Sequence, residues 1–262
     1  MIITTVTKRI KEMKQPRGGY IKPSNFDTIN LNDNNVLKNE NIPASIVGMT
    51  VDYLTRFMIS NDLMDAFRIS IKGLDCAKRM LPKKYDVTIQ EAYKYLDNIK
   101  GLDDNSIINA CKLVTFDTFY RNPIVADPNS AENISPDSDT IENIRIMINR
   151  GISFFETYGP ITVEGFTFEP NGYTETVSAG DGDFLTADTL WDFKVSKAKP
   201  TSAHTLQLLM YWIMGQHSGK AEFEAIKKLG IFNPRLNAVY LLDISKVSNE
   251  VITEVEQDVI CY

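Results

Sequence analysis

The sequence predicts an α/β fold in which a helix, three strands, a second helix and a further strand form the core, preceded by a helical region. Two observations predict it. Directly after Gly159 and Pro160 the spacing of apolar residues changes from three or four to two. After Pro200 it returns to a helical spacing, and the apolar run "LNAVYLLDIS" that follows is typical of a strand buried on both faces. We expect a mixed central sheet flanked by helices.

Composition limits the class of protein. The 262 residues are 43% hydrophobic, as in a globular chain, and their net charge of −6 argues against coating nucleic acid by bulk electrostatics. No apolar run approaches the length of about eighteen residues that spans a membrane, and no signal peptide is evident, so we expect a cytoplasmic protein without membrane contact. Cys76, Cys111 and Cys261 form no CxxC pair, which predicts reduced thiols and no iron–sulfur cluster.

Four regions follow one another along the chain. Residues 1–43 are rich in Lys, Asn and Asp and are predicted to be a loop-rich segment. Residues 44–121 have a helical period, residues 122–139 contain three prolines and are predicted to be a linker, and residues 140–262 hold the core. In the helical region we expect helices from Ser45 onward and over 63–81, 88–99 and 105–120.

The core elements follow in order. Asp139 and Glu142 form a capping-box pattern at the start of a helix that ends at Gly159. The segments "ITVEGFTFE", "YTETVSAGDGDFL" and "TLWDFKVS" alternate as strands do. A helix over 203–217, the strand "LNAVYLLDIS" and a last alternating strand, "EVITEVEQ", complete the prediction.

The second and third strands place two aspartates opposite each other. A turn at Ala187 and Asp188 puts Asp183 across from Asp192, with Cβ atoms about 5 Å apart. Lys194 shares their face, so one face of the hairpin is expected to be core and the other polar. The aromatic residues on the core face are Phe184, Trp191 and Phe193.

Facing carboxylates repel each other unless a positive charge lies between them. Mg²⁺ or Mn²⁺ prefers the hard oxygen ligands that carboxylates and water supply. Such an ion activates water and stabilises charge on a phosphoryl oxygen, which is the chemistry of phosphodiester hydrolysis. The hairpin therefore predicts a metal-dependent hydrolytic site.

Three short motifs carry a resemblance to a known family. They are G-x-x-D ending at Asp183, D-x-K over 192–194, and Q-x-x-x-Y from Gln207 to Tyr211. Their order and spacing resemble the RecB-like branch of the PD-(D/E)XK nucleases, whose core has the same succession of helix, three strands, helix and strand. The resemblance covers about 140–245 and implies a restriction-endonuclease-like fold.

The resemblance implies a role for each matched residue. Asp183 and Asp192 would be metal ligands together with the backbone carbonyl of Phe193, and Lys194 would be the catalytic lysine. Gln207 and Tyr211 lie four residues apart on one helix face. In the family they position the lysine and the DNA strand.

A third acidic ligand is not identified by a motif. Many RecB-like members have a metal-binding His before the first strand, whereas His204 and His217 both follow the D-x-K motif. A glutamate would then take that place. We expect Glu156, near the end of the preceding helix, with Glu164 on the first strand as its competitor.

Several other polar residues have two interpretations. His204 is expected to cap its helix or lie at the surface rather than contact substrate. Lys197 and Lys199 either touch phosphates or lie in a solvated loop. The segments "DYLTRFM" and "KRMLPKK" of the helical region mix aromatic and basic residues, for which core packing with exposed lysines is favoured over a strand-binding groove.

These observations and the resemblance predict a Mg²⁺- or Mn²⁺-dependent DNA exonuclease that acts on DNA ends, in phage or mobile-element recombination or in DNA repair. The exonuclease preference rests on the family alone. Two alternatives stay open: a site-specific or structure-specific endonuclease of the same fold, and a catalytically inactive nucleic-acid-binding or assembly protein. The sequence leaves open a recombination or replication partner and the oligomeric state.

Overall fold

The computed structural model describes residues 3–262 and divides the chain into two compact units. Asp33–Ser153 form a helical unit. Phe154–Tyr262, together with the described residues up to Asn32, form a unit that contains a sheet. None of the helices within residues 3–262 has the length and apolar character needed to cross a bilayer.

The sheet has six strands, which are β1 (Asp27–Asn30), β2 (Val163–Phe166), β3 (Gly182–Leu185), β4 (Thr189–Phe193), β5 (Lys228–Asn233) and β6 (Ala238–Asp243). Their spatial order is β1-β6-β5-β4-β3-β2. The sheet is mixed, because β4 and β5 run parallel while the other neighbours are antiparallel. The predicted α/β class with a mixed sheet flanked by helices is therefore confirmed.

Both faces of the sheet are covered by apolar side chains. On one face Leu185 and Leu190 belong to a large core that includes most apolar residues of a long helix over Ser202–Ser218. On the other face Phe184 and Trp191 pack around Phe154. The ring of Phe154 stacks on that of Phe232, with 4.1 Å between the ring centroids, and meets the Trp191 ring edge-on, with 4.9 Å between the centroids.

Ten α-helices occur in the described chain. Those of the helical unit are α2 (Ala44–Ser60), α3 (Leu63–Ala66), α4 (Arg68–Met80), α5 (Asp86–Asp97), α6 (Asp104–Leu113), α7 (Asp117–Arg121) and most of α8 (Ser138–Tyr158). The unit with the sheet contains α1 (Val6–Glu12), the end of α8, α9 (Ser202–Ser218) and α10 (Asn249–Glu254). Helices α2 to α7 fall within the predicted helical region.

The first 43 residues hold more regular structure than the predicted loops. Thr5 caps α1 by accepting the backbone N–H of Lys8. Strand β1 pairs with β6 at one edge of the sheet, and all four of its residues are exposed. The sequence did not predict this strand, because residues exposed on both faces give no alternation of apolar and polar side chains.

The predicted capping box at the start of α8 is wrong. The helix begins at Ser138, and the carboxylate of Asp137 accepts the N–H of Thr140 at 2.8 Å. Glu142 instead forms a salt bridge with Arg145 one turn later. An aspartate two residues earlier therefore supplies the cap.

Two strand predictions near the end of the chain also need correction. The segment "EVITEVEQ" is helical, because Ser248 caps α10 and apolar residues four apart, Val255 and Val259, are buried. The strand that follows α9 and runs parallel to β4 is "KLGIFN", which had no predicted structure. The predicted strand "LNAVYLLDIS" contains β6, the antiparallel neighbour of β5.

Candidate functional site

The β3–β4 hairpin has the register predicted from the sequence. Thr186 N–H donates to the Thr189 carbonyl at 3.0 Å across the turn, and Phe184 pairs with Trp191. Continued by one residue, this register puts Asp183 across from Asp192. The Asp183 carboxylate also accepts the N–H of Phe193 at 2.7 Å, which ties the two strand ends together.

The aspartates lie on the face of the sheet that α9 covers. Alternation places Asp183 on the side of Leu185 and Asp192 on the side of Leu190, and both leucines belong to the core against α9. Asp192 is only 4% exposed. The face expected to be polar is therefore itself largely core, with two carboxylates at its rim.

Lys194 forms an ion pair with Asp192. Its Nζ lies 2.8 Å from Asp192 Oδ1, with the lysine side chain 29% exposed and the aspartate side chain 5% exposed. The backbone N–H of Lys194 donates to the Phe232 carbonyl at 2.9 Å and continues the pairing of β4 with β5. The fold thus fixes the lysine backbone while its charged end reaches the boundary with solvent.

Helix α9 presents a polar pair to the same region. Gln207 Nε2 donates to the Tyr211 hydroxyl at 2.9 Å, and both side chains are buried. Burial raises the pKa of Tyr211, and the negative charges of Asp192, Asp183 and Asp181 raise it further. Tyr211 is therefore within electrostatic range of the aspartates, and its phenol stays protonated.

His204 belongs to this group, although its sequence position predicts a capping or surface role. It does cap α9, because its Nδ1 accepts the N–H of Thr201 at 3.2 Å. It also precedes Gln207 by three residues and Tyr211 by seven, which places all three on one helix face. Burial lowers the pKa of His204, and the nearby Lys194 charge lowers it further. The missed signal was the i, i+3, i+7 spacing.

Neither candidate for the third acidic ligand joins the aspartates. Glu156 is exposed in the last turn of α8, whose Phe154 and Tyr158 pack on the opposite face of the sheet. Glu164 pairs with Phe184 across β2 and β3, so its side chain also projects from that opposite face. Within residues 3–262 no group of three or more His, Cys, Asp or Glu side chains is arranged to hold a metal.

The remaining residues considered from sequence lie around the hairpin. Asp188 is in its turn, where it forms an ion pair with Lys228 at 2.8 Å. Lys197 and Lys199 are exposed in the segment after β4. That segment is held by Asn233, whose Nδ2 donates to the Ser196 carbonyl at 2.8 Å.

The donor set fits a hard divalent cation held by two carboxylates, with water and one backbone carbonyl completing its coordination. It also offers one ammonium group, one amide, one phenol and one imidazole within a partly buried setting. Such a set can bind an anionic ester, neutralise charge on it and orient water. No protein-family model, curated protein or solved structure matches this chain.

Proposed function

We propose that the chain is a metal-dependent deoxyribonuclease that hydrolyses phosphodiester bonds. The observation that carries the proposal is the β3–β4 register, which continued by one residue puts Asp183 across from Asp192 beside Lys194, on the face where Tyr211 and its partner Gln207 pack. The order α8, three strands, α9 and β5 also agrees with the restriction-endonuclease-like core implied by the motifs.

Asp183 and Asp192 would hold the cation with the carbonyl of Phe193. When bound, Mg²⁺ or Mn²⁺ supplies a water of lowered pKa and stabilises charge on the phosphoryl oxygens. The Phe193 N–H keeps the Asp183 carboxylate oriented, since it donates to that carboxylate. Both ligands come from rigid paired strands, which favours a fixed coordination geometry.

Lys194 would act on the phosphate. Its ammonium group is already held at 2.8 Å from Asp192, and its partial exposure lets an anionic substrate approach. A positive charge placed there stabilises the charge that develops on phosphorus-bound oxygen in the transition state. Gln207, Tyr211 and His204 would orient the lysine and the strand from α9.

An exonuclease needs a free DNA end, and this part of the proposal rests on the resemblance to the RecB-like nucleases. The endonuclease alternative differs only in whether a free end is required. An inactive binding protein is the second candidate function, and one observation favours it: Glu164 projects from the face of the sheet opposite to the aspartates, and Glu156 lies in a helix that packs on that opposite face. Activity with a metal distinguishes these cases.

The test is cleavage of end-labelled linear DNA and covalently closed circular DNA with Mg²⁺ or Mn²⁺. Lys194→Ala is expected to lower cleavage by about 10²-fold or more while retaining DNA affinity. Lys227→Ala is the matched control, because Lys227 is an exposed lysine beside Lys228, which pairs with Thr189 at the opposite end of β4 from Lys194, and it should keep near-normal cleavage. Circular dichroism verifies that both variants fold.

Three outcomes decide between the candidates. Full cleavage by Lys194→Ala would overturn the assignment of the site. Cleavage of closed circles would replace exonuclease by endonuclease. DNA binding without any metal-dependent cleavage by the wild-type chain would favour the inactive binding protein.

A further inference from the structure

We infer that the helical unit carries its own binding surface for the phosphate backbone of a nucleic acid strand, formed by the exposed face of α4 and the turn after it. We name this surface the α4 basic stripe. It consists of Lys72, Lys78, Arg79, Lys83 and Lys84. The inference goes beyond the proposed nuclease and uses none of its catalytic residues.

The stripe follows from the way α4 packs. The helix buries Ser70, Gly73, Leu74 and Ala77 on one side. Lys72 and Arg79, seven residues apart, lie on the opposite side and about 10 Å from each other along the helix axis. Lys83 and Lys84 continue the exposed series in the short 3₁₀ turn Lys83–Tyr85.

The stripe has a net positive charge. Over residues 72–84 five basic side chains occur with one acidic side chain, Asp75, which accepts the Tyr93 hydroxyl at 3.0 Å. Within residues 3–262 none of the five forms a salt bridge. In the same unit Arg56 and Arg145, by contrast, pair with carboxylates.

In a chain whose net charge is −6, five basic groups without carboxylate partners form a local positive region. Such a region attracts polyanions and so raises their concentration near the surface. Phosphates spaced regularly along a strand match charges spread along a helix. The stripe therefore fits a backbone better than it fits a single anion.

Two tyrosines beside the stripe favour nucleic acid over other polyanions. Lys72 Nζ lies 5.3 Å from the ring centre of Tyr120, and Lys84 Nζ lies 4.9 Å from that of Tyr85. Tyr120 is 47% exposed. An exposed ring next to a cation can stack an unpaired base while the cation contacts the phosphate. The arrangement points to a single-stranded segment.

The test measures binding of a fluorescent oligothymidylate of about 20 nucleotides by anisotropy in EDTA, so that cleavage is absent. The double variant Arg79→Gln with Lys83→Gln is compared with Lys94→Gln with Lys100→Gln, two exposed lysines of the same unit. Loss of two phosphate contacts should reduce the slope of log K against log salt by about 1.4 and weaken binding roughly 25-fold at about 0.1 M salt. The control variant should bind within about twofold of wild type.

Tyr120→Leu provides an independent readout. It should weaken binding of the single strand about fivefold or more and leave duplex binding unchanged, because only unpaired bases stack on the ring. Unchanged unfolding temperatures confirm that the variants fold. Equal binding by the stripe variant and its control overturns the inference, whatever the result of the cleavage assay. Loss of affinity for phosphatidylserine vesicles without loss for the oligonucleotide would also overturn it and identify a membrane surface.

Discussion

At the scale of single residues, the fold treats the two facing aspartates differently. Asp183 is held by a backbone N–H, whereas Asp192 is nearly enclosed and held by the ammonium group of Lys194. Removing one partner of a buried ion pair leaves an uncompensated charge, which costs more than the pair itself contributes. Loss of Lys194 is therefore expected to destabilise Asp192, which would be left as a buried charge without its partner, more than it destabilises Asp183.

The electrostatic interaction between Lys194 and His204 can be tested by titration. Lys194→Met should raise the pKa of His204 without returning it to the ordinary value near 6.5, because burial, the larger cause of the lowered pKa, remains. The measurement is NMR of the histidine ring protons across pH. His217, the other histidine of the chain, is paired with Glu256, and its ring protons account for the second set of signals in the same spectrum.

The sign of the effect on stability follows from linkage. Because the folded pKa of His204 is lowered, the unfolded chain takes up its proton first as pH falls. Native stability should therefore decrease from about pH 6.5 downward, and less so in Lys194→Met. An unchanged His204 titration in that variant would contradict the placement of the two side chains.

The part of the site that depends only on neighbouring residues in the hairpin was predictable from the sequence. The two-residue turn and strand alternation suffice to place Asp183 across from Asp192. The third acidic ligand was not predictable, because the position of Glu164 depends on the register of β2 and that of Glu156 on which face of the sheet α8 covers. Both are set by tertiary packing.

At the scale of elements, close packing of α4 against the turn Val114–Phe116 depends on one glycine. A Cβ at Gly73 would meet the Phe116 carbonyl oxygen at 2.0 Å, a backbone atom that cannot rotate away. Gly→Ala within a helix normally gains about 1 kcal/mol. Here overpacking, which costs about 1–3 kcal/mol or more, should dominate.

Gly73→Ala is therefore expected to destabilise the protein by about 2 kcal/mol, measured by urea denaturation. Gly101→Ala is the control, since no heavy atom lies within 4 Å of its added Cβ, and it should change stability by less than about 0.5 kcal/mol. A stabilised Gly73→Ala variant would show that α4 and the turn are farther apart than described.

Elements were predictable where apolar residues recur with a clear period or form an unbroken run, as in "LNAVYLLDIS". The helices of 44–121 and the hairpin have clear periods. Strand β5 is buried along nearly its whole length, so its six residues show no period, and its Gly230 lowers strand propensity. Gly230 is nevertheless required there, because a Cβ would meet the Trp191 ring at 2.3 Å.

At the scale of the whole molecule, a bound cation should stabilise the chain by mass action. At a Mn²⁺ concentration 100-fold above Kd the free energy of unfolding should rise by about 2.7 kcal/mol. Asp183→Asn should abolish this rise, because Asn keeps the bond from the Phe193 N–H but loses the negative charge. Thermal unfolding with and without Mn²⁺ measures it.

Glu156→Gln is the matched control for that experiment. Its side chain is exposed and the structure does not bring it to the aspartates, so the metal-induced rise should persist. If Mn²⁺ no longer raised the free energy of unfolding of Glu156→Gln, Glu156 would be identified as a metal ligand. No rise in the wild-type chain would argue against a metal at this site.

Strand β1 has a consequence for synthesis on the ribosome. It leaves the ribosome more than 200 residues ahead of β6, the strand with which it pairs. At about 5–20 residues per second, the strand waits roughly 10–40 s before its hydrogen bonds can form. Its four exposed residues, Asp27–Asn30, include three polar ones, which reduces the hazard of aggregation for an unpaired strand. The nascent chain thus keeps its earliest strand water-soluble until the last one arrives.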